Sequence, residues 1–282
     1  MKLTRVVIAA FITCAALSLL IGSFLLFQVK SIPKYCRMIH TGEEVRRSLL
    51  EMHLQKQIYL LRHHEDALEN VRDNMADLRK TLSFYEKSKR GGEQADFFEF
   101  AAWEEAINLY ERLFDQFVLY HRAVEKNIAE IRNLEKSILA VIYSKMNAER
   151  GLIALQEIRI HEKGYLLYRE RPEQPDERSF QDKRKEAVAN LLMWAHEDKR
   201  IEELMEEDDR LFNEILSNYE SQDNTLMALE RESGKIRVIG EKFLEAGNNG
   251  IGITYRRCNF LCTTLLFMWA IVCLAIFANR LL

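Results

Sequence analysis

Residues 155–169 have the sequence LQEIRIHEKGYLLYR, and residues 49–62, LLEMHLQKQIYLLR, form an earlier version of the same segment. Aligned on their shared Tyr-Leu-Leu, the two segments lie 106 residues apart. Each has the apolar spacing of an amphipathic helix and leads into a charged turn, at residues 62–66 and 169–175. Since another helical stretch follows each turn, the repeat predicts two copies of a helical hairpin.

The composition indicates an all-α protein. Of the 282 residues, 29% are charged and 48% hydrophobic, and charge is interspersed with apolar residues everywhere except near the two ends. The prolines, Pro33, Pro172 and Pro175, all lie where a helix is expected to begin or break. No run of alternating β-branched residues predicts a strand. A net charge of −3 provides no basic signature, so we expect no nucleic-acid partner.

Both ends of the chain have the length and composition of transmembrane helices. Residues 6–29 and 258–279 are free of charge over 24 and 22 positions, and about 20 apolar residues suffice to cross a bilayer. The first segment is longer than the apolar core of a cleaved signal peptide, which favours an uncleaved anchor. The sequence therefore predicts a two-pass membrane protein in which residues 30–257 form a domain between the spans.

Six helices are predicted in that domain, and two of them are much longer than the rest. In one long helix, apolar residues recur at intervals of three and four from Phe100 to Ile142, interrupted only by His121 and Glu135. In the other, the centre of the equivalent seam is polar, and glycines within residues 247–252 are expected to loosen the helix before the membrane. The predicted helices cover residues 34–62, 65–87, 97–145, 150–169, 178–196 and 199–246.

These lengths predict how the helices pack. A lone helical hairpin cannot bury its apolar face, and four helices around one core can. If each long helix serves two bundles, six helices supply the eight segments of two four-helix bundle modules. We therefore expect two modules stacked end to end that share the long helices.

Residues able to recognise a small carboxylate are distributed over several of these helices. Arg46 and His53 share a helix face, and Arg159 follows an apolar residue by one turn. Arginine pairs with carboxylates in a bidentate manner, and buried polar groups require partners. Taken alone, each position is better explained as a partly exposed or water-filled seam residue. As a group, the candidates for ligand binding are Arg46, His53, Arg159, Asn218, Gln222 and Thr225.

The first span has a stripe of small residues at intervals of four. Such stripes allow helix backbones to approach closely within lipid. The stripe is expected either to pair two chains as a homodimer or to receive the second span of the same chain. Its members are Ala10, Cys14, Ser18 and Gly22.

Recognisable catalytic motifs are missing from the sequence. It contains no glycine-rich phosphate loop, nucleophile elbow or HExxH motif. The adjacent His63 and His64 are better explained as a polar turn than as metal ligands. We therefore expect no enzymatic activity, no cofactor and no metal.

The EKGYLL segment at 162–167, its counterpart QKQIYLL at 55–61 and the two-span frame resemble a known family. They are similar to the helical bimodular (HBM) sensor domain of bacterial chemoreceptors and sensor histidine kinases. The resemblance covers residues 30–257. It implies a two-pass protein of the bacterial inner membrane whose periplasmic domain binds a small ligand, often an organic acid.

The resemblance leaves the route of the signal open. Receptors of this kind continue into a HAMP linker and an output domain, whereas this sequence ends three residues after Asn279. It therefore implies either a truncated receptor or a protein that signals through a partner. The alternative is a structural or scaffolding coiled-coil membrane protein without a ligand.

The flanking charges bear on the orientation in the membrane. Lys2 and Arg5 precede the first span and Arg280 follows the second. More basic residues flank the domain side, but the positive-inside rule is weak for long translocated domains. The resemblance therefore favours a periplasmic domain.

Overall fold

The computed structural model describes residues 2–62, 64–89, 100–168, 177–196 and 198–281, and the regular structure in these ranges is entirely helical. The predicted all-α class is confirmed. Seven helices occur in the described ranges: α1 Lys2–Val29, α2 Ile32–Arg62, α3 Glu65–Lys89, α4 Phe100–Tyr143, α5 Ala148–Tyr168, α6 Glu177–Ala195 and α7 Lys199–Leu281.

The helix boundaries agree with the predicted ones to within a few residues, except that α7 continues beyond residue 246 to Leu281. Pro33 is the second residue of α2, where proline lacks only an amide that has no partner in a helix. The predicted start of α4 at residue 97, most of the loop predicted over 88–92, His63 and the Pro172/Pro175 turn lie outside the described residues.

The chain divides into two compact units. Unit 1 comprises Met1–Arg112 and Leu229–Leu282, and unit 2 comprises Leu113–Ala228. Helices α4 and α7 contribute segments to both units.

Unit 2 has two hydrophobic clusters, and both draw residues from α4, α5 and α7. The larger cluster, which includes Ile142, Ile158 and Leu191, also contains residues of α6. The smaller one contains Tyr165 of the repeated segment, whose ring meets Phe212 edge-on at 5.9 Å. The residue before this tyrosine, Gly164, has no side chain, and a Cβ there would lie only 2.5 Å from the ring of Phe180.

Unit 1 contains α1, α2, α3 and the neighbouring parts of α4 and α7. Helices α2 and α3 pack together, and Trp103 of α4 lies 5.6 Å from Phe243 of α7 with only 1% of its surface exposed. Arg79 of α3 forms an ion pair with Glu111 of α4. Tyr59, the counterpart of Tyr165, is also buried, so both copies of the repeated segment direct their tyrosine inward.

The expectation that glycines loosen the last long helix is wrong, since α7 is continuous from Lys199 to Leu281. The glycines instead allow α2 to approach closely. A Cβ at Gly247 would lie 2.6 Å from the side chain of Ile39, and one at Gly250 would lie 2.2 Å from the ring of Tyr35. Because glycine has no side chain, it leaves room here for the side chains of α2. The packing against α2 offsets the low helix propensity of glycine.

Replacement of Gly250 by leucine is therefore expected to destabilise unit 1. The added side chain would occupy the space of the Tyr35 ring, and overpacking of this kind costs roughly 1–3 kcal/mol. Thermal unfolding of the purified full chain measures the effect. Gly234→Leu is the matched control, because a Cβ at Gly234 meets nothing within 4 Å. Equal effects of the two substitutions would contradict this explanation of the glycines.

Two helices are long and apolar enough to cross a membrane, one near each end of the chain. They contact each other through Trp269 of α7, whose indole donates to the Ser18 hydroxyl at 3.0 Å and whose ring meets Phe11 at 5.7 Å. Ser18 belongs to the small-residue stripe, together with the half-buried Cys14 and Gly22. The contact of Ser18 is thus with the second apolar segment of its own chain; the side chain of Ala10 lies outside the described set.

Candidate ligand-binding groove

A groove of about 630 Å³ runs along unit 1 between α2 and α7. The α2 residues that line the groove recur every three or four positions and therefore share one helix face. Those residues are Arg46, Leu49, Leu50, His53 and Lys56, facing Tyr110, Leu229, Glu230, Ser233, Gly234, Arg237, Glu241 and Leu244.

The groove brings together Arg46 and His53, two of the residues predicted to bind a ligand. Both are exposed. Among the described residues, Arg46 has neither a hydrogen bond nor an ion pair, so its guanidinium retains its full set of donors. The structure thus places a guanidinium and an imidazole on the wall of one concave surface.

Lys56 is the residue of this groove that the sequence did not reveal. Only 4% of its surface is exposed, and it has no hydrogen bond or ion pair within the described part of the chain. Burial lowers the pKa of its ammonium below the usual 10.5, and Glu230 only partly offsets this effect. A buried charge without a close counterion is unfavourable, so an anion in the groove would stabilise Lys56.

The remaining charges of the groove leave it positive. Arg237 lies 3.7 Å from Glu241, which forms a loose and exposed pair. Glu230 is the other lining carboxylate, so three cationic side chains face two anionic ones. Burial raises the pKa of Tyr110 to about 12, which keeps its hydroxyl neutral at physiological pH.

This arrangement suits a small organic anion. Its charged group would meet Arg46 and Lys56, while Leu49, Leu229 and Leu244 offer apolar surface to a short carbon skeleton. Pockets with mostly apolar walls and a few convergent polar groups are typical of small-molecule sites.

Arg159, the third arginine or histidine candidate, has a different environment in unit 2. It is 6% exposed, and its Nη1 donates to Glu162 at 2.5 Å and its Nη2 to Asp208 at 2.8 Å. Arg184 of α6 donates to the same two carboxylates, each at 2.7 Å. We call these two guanidiniums and two carboxylates the ionic layer. At its edge Arg159 pairs with Glu135 at 3.6 Å, and Arg184 donates to Asp209 at 2.5 Å.

The ionic layer lies between the two hydrophobic clusters of unit 2. On α7, Asp208 falls between Met205 of one cluster and Leu211 of the other. Burial alone would lower the pKa of Arg159, but Glu162 and Asp208 raise it above its usual value. Both oxygens of each carboxylate accept from an arginine, so Glu162 and Asp208 are satisfied without a ligand.

The other three candidates also lie in unit 2, on the polar part of the α7 seam. The amide nitrogen of Gln222 lies 3.2 Å from Nδ1 of the buried His121. The Thr225 hydroxyl donates to the carbonyl of Ser221 at 2.7 Å, and Asn218 is half-buried. Hydrogen bonds within the protein therefore account for Gln222 and Thr225.

Comparisons with protein-family models, with curated proteins and with solved structures find no match to this chain.

Proposed function

We propose that this protein is a membrane-anchored helical sensor that binds a small organic anion, such as a carboxylate, in the groove of unit 1. The observation that carries the proposal is the buried Lys56, which faces the groove with no counterion in contact. Arg46 and His53 line the same surface and supply further donors. No catalytic step is proposed.

In this proposal α1 and the end of α7 cross the bacterial inner membrane, and the helices between them form two stacked four-helix modules of the HBM type. The pairing of Ser18 with Trp269 supports adjacent spans. A bound anion would draw α2 and α7 together at the groove, and both helices lead directly to a span. The signal would then pass to a partner protein or to a second copy of the chain.

The second candidate function is a scaffold without a ligand. Unit 2 favours it, because both terminal nitrogens of the Arg159 guanidinium donate to carboxylates of the ionic layer rather than to a ligand. The two functions differ in the role of unit 1, where Lys56 would then be only an unfavourable charge.

Two neighbouring arginines provide a matched test. Arg46 lines the groove and Arg47 does not, although both are exposed. Loss of a charge-assisted pair costs roughly 1.5–3 kcal/mol, so Arg46→Ala is expected to weaken carboxylate binding at least tenfold. Arg47→Ala should bind as the wild type does. Titration calorimetry on the full chain measures both, and equal affinities for the two variants would remove Arg46 from the site.

The proposed periplasmic location can be tested with Cys36. This cysteine is exposed near the start of α2, just beyond the first span. A membrane-impermeant maleimide applied to intact cells should label it as fully as in lysed cells, and Cys36→Ser should reduce that labelling. Labelling that requires lysis would place the domain in the cytoplasm.

A further inference from the structure

Five basic residues border the two apolar segments on the side that faces the helical domain. Lys30, Lys34 and Arg37 follow the first segment, and Arg256 and Arg257 precede the second. Residues 1–42 and 246–282 contain no aspartate or glutamate at all. The basic residues are therefore not neutralised by acidic neighbours in sequence.

The packing of α1 and α2 against α7 places the two basic groups at one level. Tyr35 packs on Gly250 on the domain side of this level, and Ser18 bonds to Trp269 on the other side. Since helices rise about 1.5 Å per residue, the antiparallel register between these contacts sets Lys30 opposite Arg256. We call Lys30, Arg256 and Arg257 the basic collar.

The basic collar is available to an external anion. All three side chains are exposed, and none has an ion pair with any residue that the structure describes. The aromatic side chains next to them are exposed as well, with Tyr255 69% and Phe260 71% accessible. Exposed aromatic residues beside a long apolar helix are typical of the membrane interface.

We propose that the basic collar binds the headgroup of an anionic phospholipid. The phosphodiester would meet the cationic side chains, while the acyl chains would lie along the apolar face that begins at Phe260. Basic residues beside a span attract anionic lipids, and this position favours a lipid over a soluble phosphate. The proposal rests on the membrane insertion proposed above.

The experiment compares two variants with equal loss of charge. The full chain is reconstituted into vesicles of phosphatidylcholine with about 30% phosphatidylglycerol, an anionic composition of the kind that basic segments recognise. It is then purified in mild detergent and its retained lipid is quantified. The collar variant is Lys30→Gln/Arg256→Gln/Arg257→Gln. The control is Lys126→Gln/Arg132→Gln/Lys136→Gln, which alters exposed residues of unit 2.

The wild type and the control should retain the two lipids at a phosphatidylglycerol-to-phosphatidylcholine ratio roughly fivefold that of the vesicles, and the collar variant should retain the vesicle ratio. Equal enrichment in all three proteins, or enrichment in none, would overturn the headgroup site. A carbonate wash before solubilisation separates the two proposals. Release of the wild type by carbonate would refute membrane insertion and the headgroup site together, whereas firm retention without lipid enrichment would refute only the headgroup site.

Discussion

Replacement of Asp208 by alanine is expected to lower the free energy of unfolding by roughly 3–5 kcal/mol, because it leaves two buried arginines with a single buried carboxylate. Asp208 is fully buried and accepts one hydrogen bond each from Arg159 and Arg184. Both guanidiniums are themselves buried, with 6% of Arg159 and 5% of Arg184 exposed. Chemical denaturation of the full chain, followed by circular dichroism, measures the change.

An exposed ionic cluster on the same helix provides the control. Arg210 pairs with Glu207 and Glu214 at the surface, so Arg210→Ala should have a much smaller effect, since solvent screens exposed pairs. Simultaneous replacement of the four charges of the ionic layer by leucine or methionine should restore stability, because apolar packing can substitute for a buried ionic set. If Asp208→Ala unfolds no more easily than Arg210→Ala, the layer is not buried as described.

Replacement of Lys56 by methionine is expected to change stability and binding in opposite directions. In the free protein it removes a buried charge that lacks a counterion in contact, so the free energy of unfolding should rise by roughly 1–3 kcal/mol. Carboxylate binding should fall at least tenfold, since a charge-assisted bond of about 1.5–3 kcal/mol is lost. A residue kept for packing alone would not show both effects. Lys136→Met, at an exposed site of unit 2, should change neither property.

The lowered pKa of Lys56 also predicts a pH dependence. Between that pKa and 10.5 the unfolded chain binds more protons at this site than the folded one does, so its contribution makes the free protein more stable as pH rises through the window. Anion affinity should decline over the same range, because the folded ammonium loses its proton. Both trends should be absent in Lys56→Met. A wild-type affinity that does not depend on pH up to 10.5 would argue against contact between Lys56 and the ligand.

Most of the helical framework could be predicted from the sequence, because apolar spacing follows directly from burial. The seam of α4 is buried at Trp103, Phe114, Phe117 and Ile138 as its periodicity indicated. The polar seam of α7 also faces inward, with Asp208 and Glu232 almost fully buried. The periodicity of apolar residues predicts which side of a helix is buried. A charged residue at a seam position is therefore also predicted to be buried.

The role of the α7 glycines could not be predicted in the same way. Glycine disfavours a helix when judged residue by residue. The compensating contacts of Gly247 and Gly250 come from α2, some 200 positions earlier in the chain. Only the packed structure shows that α7 remains helical because α2 lies so close.

The candidate site shows the same limit. Arg46 and His53 could be predicted as ligand-binding residues because they share a helix face. Lys56 lies in a helix with many charged residues, where a lysine is expected to be exposed to solvent. The repeat does contain a signal for this residue. Lys56 and Glu162 both lie three residues before the shared tyrosine, and both are buried. Glu162 has two arginine partners, from α5 and α6, whereas Lys56 faces an open groove.

The most direct test is whether the full chain, purified in detergent, binds a small carboxylate. Calorimetric titration of the wild type with acetate, succinate and citrate to about 10 mM would detect any site whose binding free energy is more favourable than roughly −3 kcal/mol. We expect saturable binding of at least one of these acids at one site per chain, retained in Arg47→Ala and lost in Lys56→Met. No saturable binding of any of the three, or equal binding by Lys56→Met and the wild type, would contradict a carboxylate site in the groove.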